Sequence, residues 1–354
     1  MHPKPDSRAG FPPNPEARAA VSIRDVAEAA GVSMATVSRV INTPTVVAAP
    51  TLARVQAVIQ RLGYVPNAFA QVLTAGESRV IGVALPWFHG EFFSRMLQGA
   101  DQQATKMGYH LLITSITTKP DGSRRDRVLG TGLIDGMIVM VDDAHDPLVD
   151  DMVKSALPCV SMDLDLSARG RDSVTLDNER GTREAVEHLL RWVEPSRCVF
   201  VGGPKTNFDT QHRAHAFEQV MRAAGHEPTP EQMVFGEYSM AWGKEWATRT
   251  HSRGRLAGSA VLAGNDEIAC GILRAAESAH VWVPDQLRLV GFDDTRLAQS
   301  VRPALSSVAL PMEEMGSAAV ELLVRRIENR DLPATCVRLP TRFVVRESST
   351  AMKF

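Results

Sequence analysis

The sequence predicts a small all-α unit near the N-terminus, followed by a large α/β domain of two doubly wound parallel-sheet lobes. Residues 21–63 contain three short amphipathic segments separated by turn residues. From residue 80 onward, apolar runs of strand length alternate with helix-length segments, which is typical of parallel sheets covered by helices. This alternation covers about 275 residues, more than one such sheet usually needs, and therefore favours two lobes.

The composition is that of a globular protein. The 354 residues are 44% hydrophobic and 23% charged, close to globular averages. No apolar run approaches the roughly 20 residues of a membrane span, and the N-terminus lacks the apolar segment of a secretory signal. We therefore expect a cytoplasmic protein without a membrane partner. The four cysteines lie far apart with no C-x-x-C pair, so we expect no disulfide framework and no metal site. We expect no cofactor either, because the glycine runs lack the spacing of a dinucleotide or P-loop fingerprint.

Charge is distributed unevenly along the chain. Residues 1–79 carry eight Lys or Arg against five Asp or Glu, a net charge of +3, and the remainder carries a net charge of −5. A small basic unit joined to a larger acidic one is a weak indication of nucleic acid binding at one end. Residues 1–20 contain five prolines and little to bury, which predicts a disordered tail.

The second of the three N-terminal segments carries the first candidate site. Ser33 is a suitable cap for a nine-residue helix over 34–42, which is too short to stand alone in water. Its apolar stripe must therefore dock on the neighbouring helices, which leaves the other face exposed. That face carries small, hydrogen-bonding and cationic residues, a set that fits a DNA major groove: Met34, Ala35, Ser38, Arg39 and Asn42. From the spacing alone, an ordinary solvated helix face remains an equal alternative.

The run from Ser22 to Asn42 resembles the headpiece of the LacI/GalR family of transcriptional regulators, and so does Gly63-Tyr64-Val65-Pro66-Asn67 followed by Ala70-Gln71-Val72-Leu73. The resemblance continues at lower density to the C-terminus. It implies a helix-turn-helix DNA-binding headpiece over 21–66 and a hinge helix or linker over 67–79. It also implies a periplasmic-binding-protein-like effector-binding and dimerisation domain over 80–354. Its first lobe is expected at about 80–176 and 308–335, and its second at about 177–307 and 336–347.

The resemblance implies a set of DNA contacts. Met34 and Ala35 occupy the positions that most distinguish operators within the family, and they differ from the more polar pairs of some members. The hinge segment is too short to be stable alone, so we expect it to fold on DNA with Leu73 entering a minor-groove base step. The DNA-contacting residues are then expected to be Ser22, Arg24, Met34, Ala35, Thr36, Ser38, Arg39, Asn42, Asn67, Gln71 and Leu73.

A ligand cleft is expected where parallel strands end at their carboxyl termini. Asp163, Asn265 and Asp293 follow apolar strand runs and could accept hydrogen bonds from sugar hydroxyls. By the resemblance, Arg213 matches a ligand-clamping arginine, and Phe92 and Tyr238 match aromatic positions of the site. Carboxylates after strands also cap helices, which is the alternative for the neighbouring Asp266. These considerations give six expected effector contacts: Phe92, Asp163, Arg213, Tyr238, Asn265 and Asp293.

The resulting hypothesis is a homodimeric repressor that is nucleoid-associated when bound to DNA. It would read a pseudo-palindromic operator and be controlled by a small sugar, sugar acid or polyol. A solute-binding protein is opposed by the headpiece and the missing signal. An enzyme on a doubly wound fold is opposed by the absence of a nucleophile elbow or a dinucleotide fingerprint. A helical pair of histidines, His212 and His215, has a metal-compatible spacing, but a solvated helix face explains it as well.

Overall fold

The structure, a computed structural model, describes residues 21–64, 78–86, 90–116, 133–141, 143 and 145–350. The chain divides into two compact units, Met1–Ser78 and Arg79–Phe354. The expected tail over 1–20 and the hinge residues Asn67, Gln71 and Leu73 lie outside the described residues. No helix in the described part of the chain is long and apolar enough to cross a membrane.

The described residues 21–64 of the first unit form a headpiece of three helices with a small core. Ser22 and Asp25 form a capping box at the start of the first helix, and glycines with φ near +62° end the first and third helices. A 3₁₀ turn, Pro44–Val46, joins the second helix to the third. Valines and alanines from all three helices form the core. The helices are α1 Ile23–Ala30, α2 Met34–Asn42 and α3 Ala49–Leu62.

The second unit contains two six-stranded sheets, which confirms the two-lobed α/β expectation. The first sheet is wholly parallel, in the order β11-β5-β4-β3-β1-β2. Its strands are β1 Val80–Leu85, β2 His110–Ser115, β3 Gly136–Met140, β4 Cys159–Met162, β5 Asp172–Leu176 and β11 Cys336–Leu339. The helices of this lobe, within the described residues, are α4 Glu91–Lys106, α5 Pro147–Lys154 and α11 Met312–Glu328.

The second sheet has the order β12-β10-β9-β8-β6-β7, and only its edge strand β12 is antiparallel to its neighbour. Its strands are β6 Cys198–Gly202, β7 Met233–Phe235, β8 Ser259–Ala263, β9 Leu287–Asp293, β10 Ser306–Ala309 and β12 Arg342–Val344. The helices of this lobe are α6 Asn178–Leu189, α7 Phe208–Ala223, α8 Met240–Ser252, α9 Asp266–Ser278 and α10 Arg296–Ser300.

Two of the expected lobe boundaries are wrong by a few residues. Strand β10 pairs with β9, with Ser306 opposite Val290, so it belongs to the second lobe up to Ala309. Strand β11 pairs with β5, with Cys336 opposite Ser173, so it belongs to the first lobe. The sequence pattern locates strands, whereas the partner of a strand depends on residues far away in the chain. The chain therefore changes lobe near Asp177, at 310–311 and at 340–341.

Each lobe contains one pair of helices whose backbones touch through glycine. A Cβ placed on Gly316 of α11 would lie 2.0 Å from the carbonyl oxygen of Met96 in α4. In the second lobe, a Cβ on Gly271 of α9 would lie 2.1 Å from the carbonyl oxygen of Met240 in α8. Only glycine permits these approaches, so both lobes use the same packing arrangement on one face of the sheet.

Candidate functional site

The exposed face of α2 is the first candidate site. Ser33 Oγ accepts a hydrogen bond from Thr36 N at 3.2 Å and starts the helix. Val37 and Val40 are buried against the headpiece core, so the helix cannot rotate about its axis without losing that burial. The opposite face is consequently presented outward, with Met34 48% exposed and with Ala35, Arg39 and Asn42 also exposed.

Several of the headpiece residues that are expected to contact DNA also form hydrogen bonds within the headpiece. Ser22 Oγ donates to Asp25 Oδ2 at 2.8 Å within the capping box, and Thr36 Oγ1 lies 2.9 Å from Ser33 Oγ. Asn42 Nδ2 donates to Ser38 Oγ at 3.3 Å, which orients both polar groups on one side of α2. Arg24, at the start of α1, is exposed.

A cavity of about 220 Å³ between the two lobes is the second candidate site. It lies at the carboxyl ends of the strands, where the fold class places ligands. All six residues expected to contact an effector line it: Phe92, Asp163, Arg213, Tyr238, Asn265 and Asp293.

Two of the lining aspartates sit on unusual backbone at strand ends. Asp163 directly follows β4 with φ of 70°, and Asp293 ends β9 with φ of 105°. Positive φ is uncommon for residues other than glycine, and aspartate tolerates it better than most. The strained positions turn the chain at the cavity and are more frequent at functional sites than elsewhere.

Arg213 is the centre of a buried polar network in the second lobe. Its Nε donates to Asn178 Oδ1 at 2.9 Å, Nη1 donates to the carbonyl oxygen of Gly264 at 2.7 Å, and Nη2 donates to Asp209 Oδ2 at 3.1 Å. Asn178 Nδ2 in turn donates to Asp209 Oδ1 at 2.8 Å. The guanidinium also lies 3.8 Å from the centre of the Phe292 ring.

The charge of Arg213 is retained although the side chain is buried. Burial alone would lower the pKa of the guanidinium, but Asp209, with smaller contributions from Tyr238, Asp293 and Asp163, holds the pKa above its usual value. The arginine therefore remains a fixed cation on one wall of the cavity.

Tyr238 is held by hydrogen bonds at the start of α7. Its hydroxyl lies 2.7 Å from Thr210 Oγ1 and donates to Asn207 Oδ1 at 3.1 Å. Its ring lies so close to Gly203 that a Cβ there would be 2.5 Å from the ring. Burial raises the pKa of Tyr238, so its hydroxyl remains protonated and can donate.

Asn265 and Asp266 both form hydrogen bonds that stabilise the start of α9. Asn265 caps the helix, because its Oδ1 accepts from Ile268 N at 2.9 Å. Asp266 is buried and accepts from the backbone N and the Oγ1 of Thr295, both at 2.8 Å, and from Ser307 Oγ at 2.7 Å. The alternative considered for Asp266 was a role as the helix cap. In the structure Asn265 is the cap, and Asp266 is the first residue of the helix. Burial raises the pKa of Asp266 to about 7, against the lowering effect of these donors.

None of the side-chain hydrogen bonds found in the described residues involves the carboxyl group of Asp293. Burial raises its pKa well above the usual value. Arg213 lowers it, whereas the nearby carboxyl groups of Asp266, Asp209 and Glu267 raise it further. Burial and the neighbouring acids therefore disfavour the charged form of Asp293.

The first lobe contributes a mainly apolar wall. Phe92 packs edge-on against the buried Phe93, with ring centres 5.2 Å apart. One contact crosses the cleft, since Glu91 Oε2 accepts from the backbone N of Arg296 at 2.8 Å. Pro86 and Met140 complete this wall within the described residues.

Sequence reasoning missed several residues of the cavity. Asp209 could have been found, since it lies four residues before Arg213 on the same helix and forms an ion pair with it. Thr295 had no detectable signal, because its role depends on Asp266, 29 residues away. The other omitted polar residues on the cavity wall are Glu91, Asn207, Glu237 and Glu267. No group of three metal-binding side chains occurs among the described residues, and His212 instead lies 3.7 Å from Glu179.

Comparison with known protein families gives matches over both units. Residues 22–67 match the family of bacterial regulatory proteins of the lacI type, and residues 174–349 match the periplasmic binding protein-like domain. Catabolite control protein A of Priestia megaterium is 30% identical over 331 residues, which cover 93% of this chain and 99% of that protein.

Two solved structures extend the similarity to the fold of almost the whole chain. The lac repressor dimer bound to operator and the anti-inducer ONPF has a TM-score of 0.83 at 25% identity, covering 94% of this chain and 99% of that chain. The complex of the transcriptional regulator CelR with cellobiose has a TM-score of 0.69 at 25% identity, covering 93% of this chain and 100% of that chain.

Proposed function

This chain belongs to the LacI family of bacterial transcriptional regulators, and from that premise we propose that it is a dimeric repressor whose hold on a pseudo-palindromic operator is controlled by a small hydroxylated effector. The observation that carries the proposal is the combination of an exposed α2 face with a polar cavity between two lobes. A DNA-reading surface and a ligand cleft on one chain are what a ligand-responsive regulator requires. The protein would act in the cytoplasm, where the chromosome lies.

The outward face of α2 supports reading of the major groove. Arg39 can donate to guanine or to a phosphate, and Ser38 and Asn42 can reach base edges or phosphates. Met34 and Ala35 can contact thymine methyl groups. The similarity to the lac repressor dimer on its operator supports pairing of two headpieces on a two-fold site.

The cleft supports the control by a ligand. Its walls come from both lobes, so a ligand held there would favour one relative position of the lobes. The similarity to a regulator bound to cellobiose supports a hydroxylated molecule as the effector. The described geometry supplies acceptors for hydroxyl groups and the ring of Phe92 for the apolar face of a sugar.

The test is fluorescence anisotropy with labelled DNA from the region upstream of the gene, at several salt concentrations. The wild-type protein should bind one duplex specifically, with an affinity that falls as salt rises. Arg39→Ala should weaken that binding by about 1–3 kcal/mol. The matched control is Arg61→Ala, which removes an equal charge from the exposed side of α3 and should change the affinity much less.

A second arm tests the cleft. Asp163→Ala should abolish any change of operator affinity caused by hydroxylated compounds, while operator binding itself persists. Protein that shows no preference for any upstream duplex, with or without such compounds, refutes the proposed function.

A further inference from the structure

We propose that a separate cavity of the second lobe, lined by arginines, binds a small anion that carries two or more phosphate groups. The inference goes beyond the proposed function, because it concerns a different ligand at a different place. The cavity has a volume of about 460 Å³ and lies at the amino ends of β6, β7 and β8, whereas the cleft lies at the carboxyl ends of the strands. All residues that line it lie between 196 and 259, in a continuously described part of the chain.

Four arginines line the cavity, and they come from three separate segments. Arg197 precedes β6, Arg249 lies in the last turn of α8, and Arg253 and Arg255 lie in the connection from α8 to β8. The carboxyl end of a helix attracts cations, which accounts for Arg249 and Arg253. It does not account for Arg197, which reaches the cavity from another element. Glu231 is the one carboxylate among the described lining residues.

Arg197 is held in place by neutral acceptors. Its Nε donates to the carbonyl oxygen of Gly258 at 3.1 Å, and its Nη2 donates to the carbonyl oxygen of Ala257. A Cβ on Gly258, where φ is +78°, would lie 2.8 Å from Nη2, so glycine allows the guanidinium to lie against this turn. The two carbonyl groups position the guanidinium but do not neutralise it. The two N–H groups of Nη1 form no hydrogen bond within the described residues and can donate to a ligand.

The other three arginines are weakly paired. Arg253 and Arg255 are exposed, and neither side chain forms an ion pair or a hydrogen bond within the described residues. Arg249 lies 3.6 Å from Glu245 in a long, exposed ion pair. Like charges four residues apart, such as those of Arg249 and Arg253, repel each other at the end of a helix. An anion bound among these side chains would be attracted by all of them and would offset that repulsion.

The opposite wall of the cavity is fixed by the buried side chain of Gln232. Its Nε2 donates to the carbonyl oxygens of Pro195 and Cys198, at 2.9 and 2.8 Å. Its Oε1 must therefore be the acceptor, and it accepts from Thr229 N at 3.2 Å and from His226 Nε2 at 2.7 Å. These four hydrogen bonds tie the connection before β7 to the start of β6. The wall therefore keeps its shape without a ligand, which lowers the entropic cost of binding one.

This arrangement fits phosphate groups better than other anions. The planar fork of a guanidinium matches two oxygens of a phosphate group, and a tetrahedral phosphate can accept from donors that approach from several directions. Arginines from three segments supply donors of that kind. The volume lies in the range of roughly 300–1,000 Å³ that small-molecule sites occupy, so a single small polyanion can fill the cavity.

The experiment is isothermal titration calorimetry of the full-length protein with pyrophosphate, inorganic phosphate and citrate, in a metal-free buffer at constant ionic strength. Pyrophosphate should bind at least about tenfold more tightly than phosphate, which offers half as many acceptor groups, and than citrate, whose carboxylates are planar. No binding of pyrophosphate, or equal or tighter binding of citrate, overturns the inference. A polyglutamate peptide that binds more tightly than pyrophosphate would indicate a protein partner and would also overturn it.

Arg253→Gln and Arg255→Gln test the cationic wall. Each substitution should weaken pyrophosphate binding by about tenfold, because it removes a charged donor from the cavity. Both side chains are exposed, so we expect both variants to fold. The control is Arg274→Gln, which removes an exposed arginine of α9 that does not line the cavity. An equal loss in the control would assign the binding to the overall charge of the protein and overturn the inference.

Glu231→Gln should have the opposite effect. The carboxyl group of Glu231 is ionised, because its own backbone N–H and the Thr229 hydroxyl hold its pKa below the usual value, with a smaller contribution from Arg255. Removal of this negative charge should strengthen pyrophosphate binding by about threefold. Unchanged or weaker binding would contradict a pyrophosphate site in this cavity. Since these titrations contain no DNA, their outcome is independent of whether the protein binds an operator.

Discussion

The two lobes share one fold but contribute different halves of the cleft. The half from the second lobe is a connected polar network, in which Arg213 joins α7 to α6 and to the loop after β8. The half from the first lobe is mainly apolar and contributes Glu91 and Asp163 as its acidic side chains within the described residues. The helix pairs behind the two sheets nevertheless pack in the same way.

This difference indicates that the two lobes have different roles in ligand binding. Side chains that already hydrogen-bond one another lose little freedom when a ligand arrives, so the second lobe can set ligand orientation. An apolar wall excludes water when the lobes approach, so the first lobe can stabilise the closed state.

Arg213→Ala should abolish ligand binding and lower the free energy of unfolding by about 3–5 kcal/mol, because Asp209 is left without its buried counter-charge. Urea unfolding and calorimetry measure the two effects. Arg222→Ala on the same helix is the control, since Arg222 pairs with Glu227 at the surface and its loss should change the free energy of unfolding little. Similar losses in both variants would contradict a special role for the network of the second lobe.

Gly316→Ala and Gly271→Ala should each lower the free energy of unfolding by about 1–3 kcal/mol, because the new methyl group meets a backbone carbonyl. Ser278→Ala, at the exposed end of α9, serves as a control with little expected change. Thermal unfolding of the three variants checks the prediction. If only one glycine variant were destabilised, the lobes would not share their packing arrangement.

Asp266 should give the second lobe a stability that depends on pH. Its pKa rises from 3.8 to about 7 on folding, so the native state holds the proton more tightly than the unfolded state does. The resulting stability is present below about pH 3.8 and is lost as the pH rises to about 7, with a slope of at most about 1.4 kcal/mol per pH unit. Urea unfolding between these pH values should show the slope.

Asp266→Asn should remove that slope, whereas Glu277→Gln on the exposed side of α9 should leave it intact. A slope that survives in Asp266→Asn would assign the pH dependence to other groups.

Glu91→Ala should have the smallest effect, a loss of about 0.5–1.5 kcal/mol in ligand affinity, because it removes one hydrogen bond between the lobes. Resonance energy transfer between dyes on the two lobes should show a larger mean distance between the lobes. Glu313→Ala is the matched control, since Glu313 pairs with Arg95 within the first lobe. Equal opening in the two variants would remove Glu91 from the closure mechanism.

The local features of both candidate sites could be predicted from the amino-acid sequence. The capping box of Ser22 and Asp25 and the outward face of α2 follow from residue type and a helical period, which are properties of neighbouring residues. Asp163 and Asp293 could be placed at the cleft because strand ends are visible as the ends of apolar runs. The motif of the headpiece also identified the family, which the comparisons confirm.

Contacts between groups that are distant in the chain became visible only in the folded structure. The joining of β10 and β11 to opposite sheets, and the contacts of Asp266 with Thr295 and Ser307, link residues 16 or more positions apart. A periodic pattern predicts the face of a helix or strand on which a residue lies. It does not predict which residue of another element that residue contacts. Partners are selected by strand pairing and by the packing of complete lobes, so the set of side chains that lines the cleft is fixed only after that selection.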